Sequence, residues 1–195
     1  SRLRRNLRDE RDDDVQIEDE LLASMEEVGG ALGSDSDDAG LGELRRLADR
    51  ERSGSDSKSK ALMAWLDEHV KPSGEWCDER VIIFTEYLAT LNWLHDILAS
   101  NGYAGNDRLL TMYGGMDSDK RESVKAAFQA SPSVSNVRIL LATDTASEGI
   151  DLQKHCNKLI HYDIPWNPNV MEQRNGRVDR HGQKQDTVFI WHPVA

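Results

Sequence analysis

The stretch RVIIFTEYLATLNWLHDILASNGYAGNDRLLTMY, from Arg80 to Tyr113, decides the fold class. It opens on a short β-branched apolar run, Arg80–Phe84, passes into the helix-period segment Leu88–Ser100, and closes on a second short run, Leu109–Tyr113. The alternation continues to the end of the chain. Further strands are expected over Val137–Ala142, Lys158–Tyr162 and Thr187–His192, and helices over Asp117–Ala130 and Asn169–Arg180. An amphipathic helix from Lys58 to Val70, with Leu62, Trp65, Leu66 and Val70 on one face, comes first, and the turn Lys71-Pro72-Ser73-Gly74 follows it. Continuous apolar strands separated by helices predict an α/β fold, a parallel sheet with helices on both faces. Such a sheet carries its working groups on the loops beyond the carboxyl ends of its strands. Here those loops are Thr85-Glu86, Gly114-Gly115, Thr143 to Asp151, and the region after Asp163.

Working outward, the 195 residues suit one domain of this kind plus an extra segment. Residues 58–195 are assigned to the domain and residues 1–57 to an acidic helical and linker segment. Lys and Arg total 24 against 35 Asp and Glu, a net charge of -11, which excludes a generally basic nucleic-acid coat protein. Any contact with phosphates must come from a local patch. Residues 1–60 hold 11 basic and 17 acidic side chains, together with the polar runs Gly33–Gly40 and Ser53–Ser57, which read as linkers. Helical periodicity is expected over Val15–Val28 and over Leu41–Ala48, with no chemistry assigned to either. Apolar runs such as Val81–Phe84 fall far short of the ~20 residues that span a bilayer. No signal peptide is visible, and the missing initiator Met suggests a processed or excised chain. Two cysteines, Cys77 and Cys156, make no disulfide framework and no paired metal-ligand spacing, so a reduced, cytoplasmic protein is expected. His155-Cys156 and His161 lack zinc-site spacing, Cys156 reads as a small buried residue, and no metal ligands are assigned.

Two segments carry chemistry. Thr143-Asp144-Thr145-Ala146-Ser147-Glu148-Gly149-Ile150-Asp151 follows a strand with small and hydroxylated residues, then a Gly and an Asp. Small residues let backbone approach a ligand, hydroxyls and amides bind phosphate oxygens, and a terminal Asp accepts from a ribose hydroxyl. The other reading of the segment alone is a polar loop whose glycine serves the turn. The second segment is Gln173-Arg174-Asn175-Gly176-Arg177-Val178-Asp179-Arg180-His181-Gly182-Gln183. Arg177 and Arg180 stand three apart on the expected helix, so their guanidinium groups project from one face. Two such forks suit a polyphosphate whose charge develops in a transition state. Taken alone, they also read as a solvated basic surface.

Together these segments resemble a known family. Val81-Ile82-Ile83-Phe84-Thr85-Glu86-Tyr87, Tyr113-Gly114-Gly115-Met116, Ala142 through Asp151 and Gln173–Gln183 look like helicase motifs IV, V and VI in order. They are similar to the second RecA-like lobe of superfamily-two helicases and translocases, over about residues 58–195. The spelling Gln-x-x-x-Arg-x-x-Arg-x-Gly-Gln and the run His161-Tyr162-Asp163-Ile164-Pro165-Trp166-Asn167-Pro168 most resemble the Swi/Snf branch of double-stranded DNA translocases, its bacterial and archaeal members in particular. Glu148 and Asp151 depart from the Gly or Asn many Swi/Snf members carry there, and Asp151 is the spelling of broader superfamily-two helicases.

The resemblance implies roles position by position. Arg177 and Arg180 act as arginine fingers toward the ATP γ-phosphate. Gly149, Asp151 and Gln173 face the nucleotide, Gln173 linking it to nucleic acid. Thr85, Gly115 and Thr143 touch the nucleic-acid backbone, a sequence-independent grip. ATP and Mg2+ are implied, held mainly by a first RecA-like lobe of the same polypeptide. The other partner implied is nucleic acid, duplex DNA foremost, with no membrane. None of the 14 glycines is followed by Lys, so the chain has no G-x-x-x-x-G-K-[ST] phosphate loop. Asp67-Glu68-His69 imitates a metal-binding carboxylate box but falls inside an amphipathic helix. Alone, the chain is expected not to hydrolyse ATP. The alternative from another class is a non-catalytic RecA-like module that docks protein or nucleic acid.

Overall fold

A computed structural model of the chain describes Gly42 and residues 56–144 and 152–194. By contacts the chain divides into Ser1–Gly54 and Ser55–Ala195, and the fold below is that of the second unit. The expected helices over Val15–Val28 and Leu41–Ala48, and loop residues 145–151, lie outside the described residues.

The first element, α1 (Ser57–His69), starts where Asp56 caps it by accepting from the Ser59 N–H at 2.6 Å. Among the described residues, five strands and three α-helices follow: β1 (Val81–Thr85), α2 (Leu88–Ser100), β2 (Leu109–Met112), α3 (Ser118–Gln129), β3 (Ile139–Thr143), β4 (Lys158–His161), α4 (Pro168–Asn175) and β5 (Phe189–Trp191). Asp117 caps α3, accepting from the Asp119 and Lys120 N–H groups. The strands form one sheet in the order β2-β3-β1-β4-β5, and all four pairings are parallel.

Residues alternate between two cores, as the strand pleat requires. Val81 and Ile83 of β1 join Leu62, Leu66, Leu91, Leu94 and Leu98, so α1 and α2 cover one face. Ile82 and Phe84 join Phe128 of α3, Leu152, Cys156 and Val178 on the other face. Both faces are covered, which explains why β1 and β3 are apolar at nearly every position and buried throughout.

Strand limits shift by a residue or two from expectation. Arg80 stands outside β1, and its guanidinium donates to main-chain carbonyls, to Val137 O at 3.0 Å, to Ala130 O at 2.6 Å and to Phe128 O. Thr187 stands outside β5, and its carbonyl accepts from the Asn157 side chain at 2.9 Å. Asp67 lies within α1 and accepts from the Tyr103 hydroxyl at 2.7 Å, a structural use. None of the described helices is long and apolar enough to cross a membrane.

Candidate nucleotide and nucleic-acid face

The carboxyl edge of the sheet gathers the residues singled out above. Thr85 and Thr143 end β1 and β3 as register partners. Both are buried and both hydroxyls are engaged. Thr85 donates to Asp163 Oδ2 at 2.6 Å, and Thr143 Oγ1 accepts from the Gly114 N–H at 3.3 Å. Gly115, next in that turn, has φ +76° with open space where a Cβ would stand. The conformation, not crowding, demands glycine there. Asp163 also pairs with the Lys58 ammonium at 3.3 Å, and that ammonium lies 4.4 Å from the centre of the Tyr162 ring.

The centre of this edge is a residue that sequence reasoning passed over. Arg174 of α4 is buried, and its fork meets both oxygens of Asp144, at 2.6 and 2.7 Å. Its third nitrogen donates to the Asp163 carbonyl at 2.7 Å and approaches His161 Nδ1 at 3.4 Å. A guanidinium only donates, so Nδ1 of His161 is the acceptor. His161 Nε2 therefore carries the hydrogen and donates to Asn175 Oδ1 at 2.9 Å. Burial, and behind it the Arg174 charge, hold this imidazole below its ordinary pKa, so it is neutral. One buried arginine thus ties the end of β3, the end of β4 and α4 together.

The Gln173–Gln183 run is built differently from expectation. The helix expected over Asn169–Arg180 ends at Asn175, with Gly176 as its cap. Beyond it, Arg177 N–H donates to Arg174 O at 3.0 Å and Val178 N–H to Asn175 O at 3.1 Å, tightening the chain into three-residue turns. Val178, fully buried in the second core, pulls the chain out of the helical path. Arg177 and Arg180 therefore ride a tight turn and do not share a helix face. Arg177 is half-buried, while Arg180 and Gln173 are exposed. The turn is stapled to the Leu152–Cys156 segment that precedes β4. Leu152 N–H donates to Arg177 O at 3.3 Å, Gln153 Nε2 to His181 O at 3.3 Å, and Gln183 Nε2 to Cys156 O at 3.0 Å and Val178 O at 2.9 Å.

The structure thus brings Thr85, Thr143 and the Gly115 turn together, and sets the Arg177–Arg180 turn against Leu152 and Gln153. Gly149 and Asp151 lie outside the described residues. Asp144 and Asp163 are held by Arg174, Thr85 and Lys58, and among the described residues no group of three or more His, Cys, Asp or Glu could hold a metal ion. Both cysteines are free thiols; Cys156 is buried, and burial pushes its pKa up to about 12. Trp166, between Pro165 and Pro168, is 98% exposed, which excludes a core anchor.

Comparison with known proteins agrees with this architecture. The family described as "Helicase conserved C-terminal domain" matches residues 62–182. An uncharacterized ATP-dependent helicase, YqhH of Bacillus subtilis, is 41% identical over 115 residues, which cover 59% of this chain and 19% of that protein. SNF2 domain-containing protein CLASSY 4 of Arabidopsis thaliana is 30% identical over 79% of this chain and 13% of its own length. The RNA polymerase-associated protein RapA of Vibrio cholerae is 31% identical over 63% and 12%. The chain thus spans about a fifth or less of these relatives. Among solved structures, the C-terminal part of the Fun30 ATPase domain aligns with a TM-score of 0.57 at 24% identity, covering 68% of this chain and 39% of that one. Domain 2 of the Mss116p DEAD-box helicase, bound to an RNA duplex, aligns at 0.53 and 19% identity, over 69% and 47%. These likenesses establish the RecA-like fold.

Proposed function

The chain belongs to the helicase conserved C-terminal domain family, as a Swi/Snf-type second RecA-like lobe of superfamily two, and from that premise we propose that it is the arginine-finger half of an ATP-driven nucleic-acid motor. The nucleotide is held by a first lobe of the same polypeptide, which also supplies the phosphate loop and Mg2+ ligands. Arg177 and Arg180 reach its γ-phosphate across the cleft, and Gly149, Asp151 and Gln173 line the nucleotide. The observation that carries this reading is the stapled turn. A segment bearing two arginines is anchored by Arg174 at its head and Gln183 at its tail, and such preorganisation makes a charged group effective against developing charge.

The exposed end of the turn favours Arg180 as the deeper-reaching finger. Loss of an arginine finger costs roughly 10³–10⁵ in turnover in phosphoryl-transfer enzymes. Lobe closure completes the site and hydrolysis reopens it, so the two lobes alternate their grip on nucleic acid. Duplex DNA is the proposed track, gripped through its backbone. The main-chain N–H groups at the Thr85, Gly115 and Thr143 loops are the proposed contacts, since both threonine hydroxyls are already engaged. Without a phosphate loop, this lobe alone does not turn over ATP. The reduced thiols suit a cytoplasmic protein.

The test is ATP turnover in a protein that joins this lobe to its first lobe, with Arg180→Ala alongside. A fall of three orders or more, with nucleotide affinity changed far less, is expected. Unchanged turnover would refute the finger assignment.

A further inference from the structure

The amino-terminal edge of the sheet, beside the tail of the motif turn at Gln183, holds a concave site. A cavity of about 220 Å³ opens between the residues preceding β1, the Lys154–Asn157 segment preceding β4 and the Gln183–Gln185 segment preceding β5. Its acidic wall is already engaged. Asp78 lies 3.1 Å from the Arg138 guanidinium, and Glu79 is ion-paired with Lys158. The facing wall presents Lys154, His155 and Lys184. No ion pair joins either Lys154 or Lys184 to a carboxylate among the described residues.

The segments that carry these groups are tied to one another. Gln183 Oε1 accepts from the N–H groups of Lys184 at 2.9 Å and Gln185 at 3.1 Å, and Gln183 Nε2 donates to the Cys156 carbonyl at 3.0 Å. One side chain thus clamps the Lys184 segment to the Lys154–Asn157 segment. Asn157 adds a second tie, donating to the Thr187 carbonyl at 2.9 Å. Burial first, then Lys184, Arg80 and Lys154, hold the His155 imidazole below its ordinary pKa, so both lysines act on the ring.

We propose that this cavity is an anion site that takes a phosphate group, with Lys154 and Lys184 supplying charge and the neutral His155 imidazole an N–H donor. Two lysines with no ion pair among the described residues line the hollow together with an imidazole, and the two carboxylates of its lining, Asp78 and Glu79, each already face a cation. Lysine, a compact point charge, suits a tetrahedral oxyanion that approaches end-on. The phosphate has two sources, free inorganic phosphate or the phosphodiester of a nucleic-acid strand. The site lies next to the motif turn, because Gln183 N–H also donates to the Arg180 carbonyl at 3.0 Å. The proposal does not depend on the finger role of Arg180.

The test follows the imidazole C–H resonances of the intact chain, whose six histidines are separated by assigning His155 with His155→Gln. Sodium phosphate is titrated at constant ionic strength, with sodium chloride as control and a short DNA duplex in a separate arm. A saturable shift of the His155 signal with phosphate is expected, weakened roughly tenfold or more in Lys154→Gln/Lys184→Gln. The thermal midpoint of that variant stays unchanged. Saturation by inorganic phosphate assigns a free ion, whereas saturation by the duplex alone assigns a phosphodiester. An equal response to chloride, no response in either arm, or an undiminished response in the double variant would overturn the site.

Discussion

Arg174 organises the carboxyl edge through four polar contacts, to Asp144, to the Asp163 carbonyl and to His161, while its guanidinium lies 5.4 Å from the centre of the Phe84 ring. Removing one partner of a buried pair leaves the other uncompensated, and Arg174→Ala is expected to cost about 3–5 kcal/mol. In Asp144→Ala/Arg174→Ala neither charge is left unpaired, so its loss should be smaller than the summed losses of Asp144→Ala and Arg174→Ala. Urea denaturation of all four proteins checks this, and simple additivity would deny the coupling. His161 adds a pH dependence. Its folded pKa is depressed below 6.5, so the unfolded chain binds the proton more readily. Stability is therefore full above about pH 6.5 and falls as pH drops below it. The groups acting on the ring are Asn175, Arg174, Asp144 and His192. His161→Gln should flatten the slope of the denaturation midpoint between pH 6.5 and 5, and an unaltered slope would show that other groups carry it.

At the scale of elements, the sheet and its helices were legible because short β-branched runs and helix-period segments differ in period, and nothing in the tertiary structure opposes either pattern. The expected helix α2 over Leu88–Ser100 is observed with those limits. The helix over Asn169–Arg180 was not legible in full. Its polar residues suit a helix, but Val178 is drawn into the core by contacts far away in sequence, and the chain leaves the helix at Gly176. The Arg174–Asp144 pair was hidden for a related reason. Thirty residues separate the two, and no local pattern says that a charge inside a basic run will be buried. The glycine turn after β2 offers a direct check. Gly115 has φ +76° and free space around a virtual Cβ, so Gly115→Ala meets conformational strain without a clash. A loss of roughly 1–2 kcal/mol is expected in thermal or urea denaturation. A neutral result would mean that the turn rearranges at no cost.

For the whole lobe, the Thr85, Gly115 and Thr143 turns lie at one edge of a buried parallel sheet, and the other edge carries a polar hollow. The motor reading makes this lobe half of a site. On that reading it supplies arginines on a braced turn and another lobe supplies the phosphate cradle. The most direct measurement is ATP turnover by the protein joining both lobes, with duplex DNA, with single-stranded RNA and with no nucleic acid, beside Arg180→Ala. The expected result is strong stimulation by duplex DNA that falls roughly 10³-fold or more in the variant. Stimulation by RNA in place of DNA would contradict the proposed track, and no turnover under any condition despite bound nucleotide would contradict the motor itself and leave a docking module.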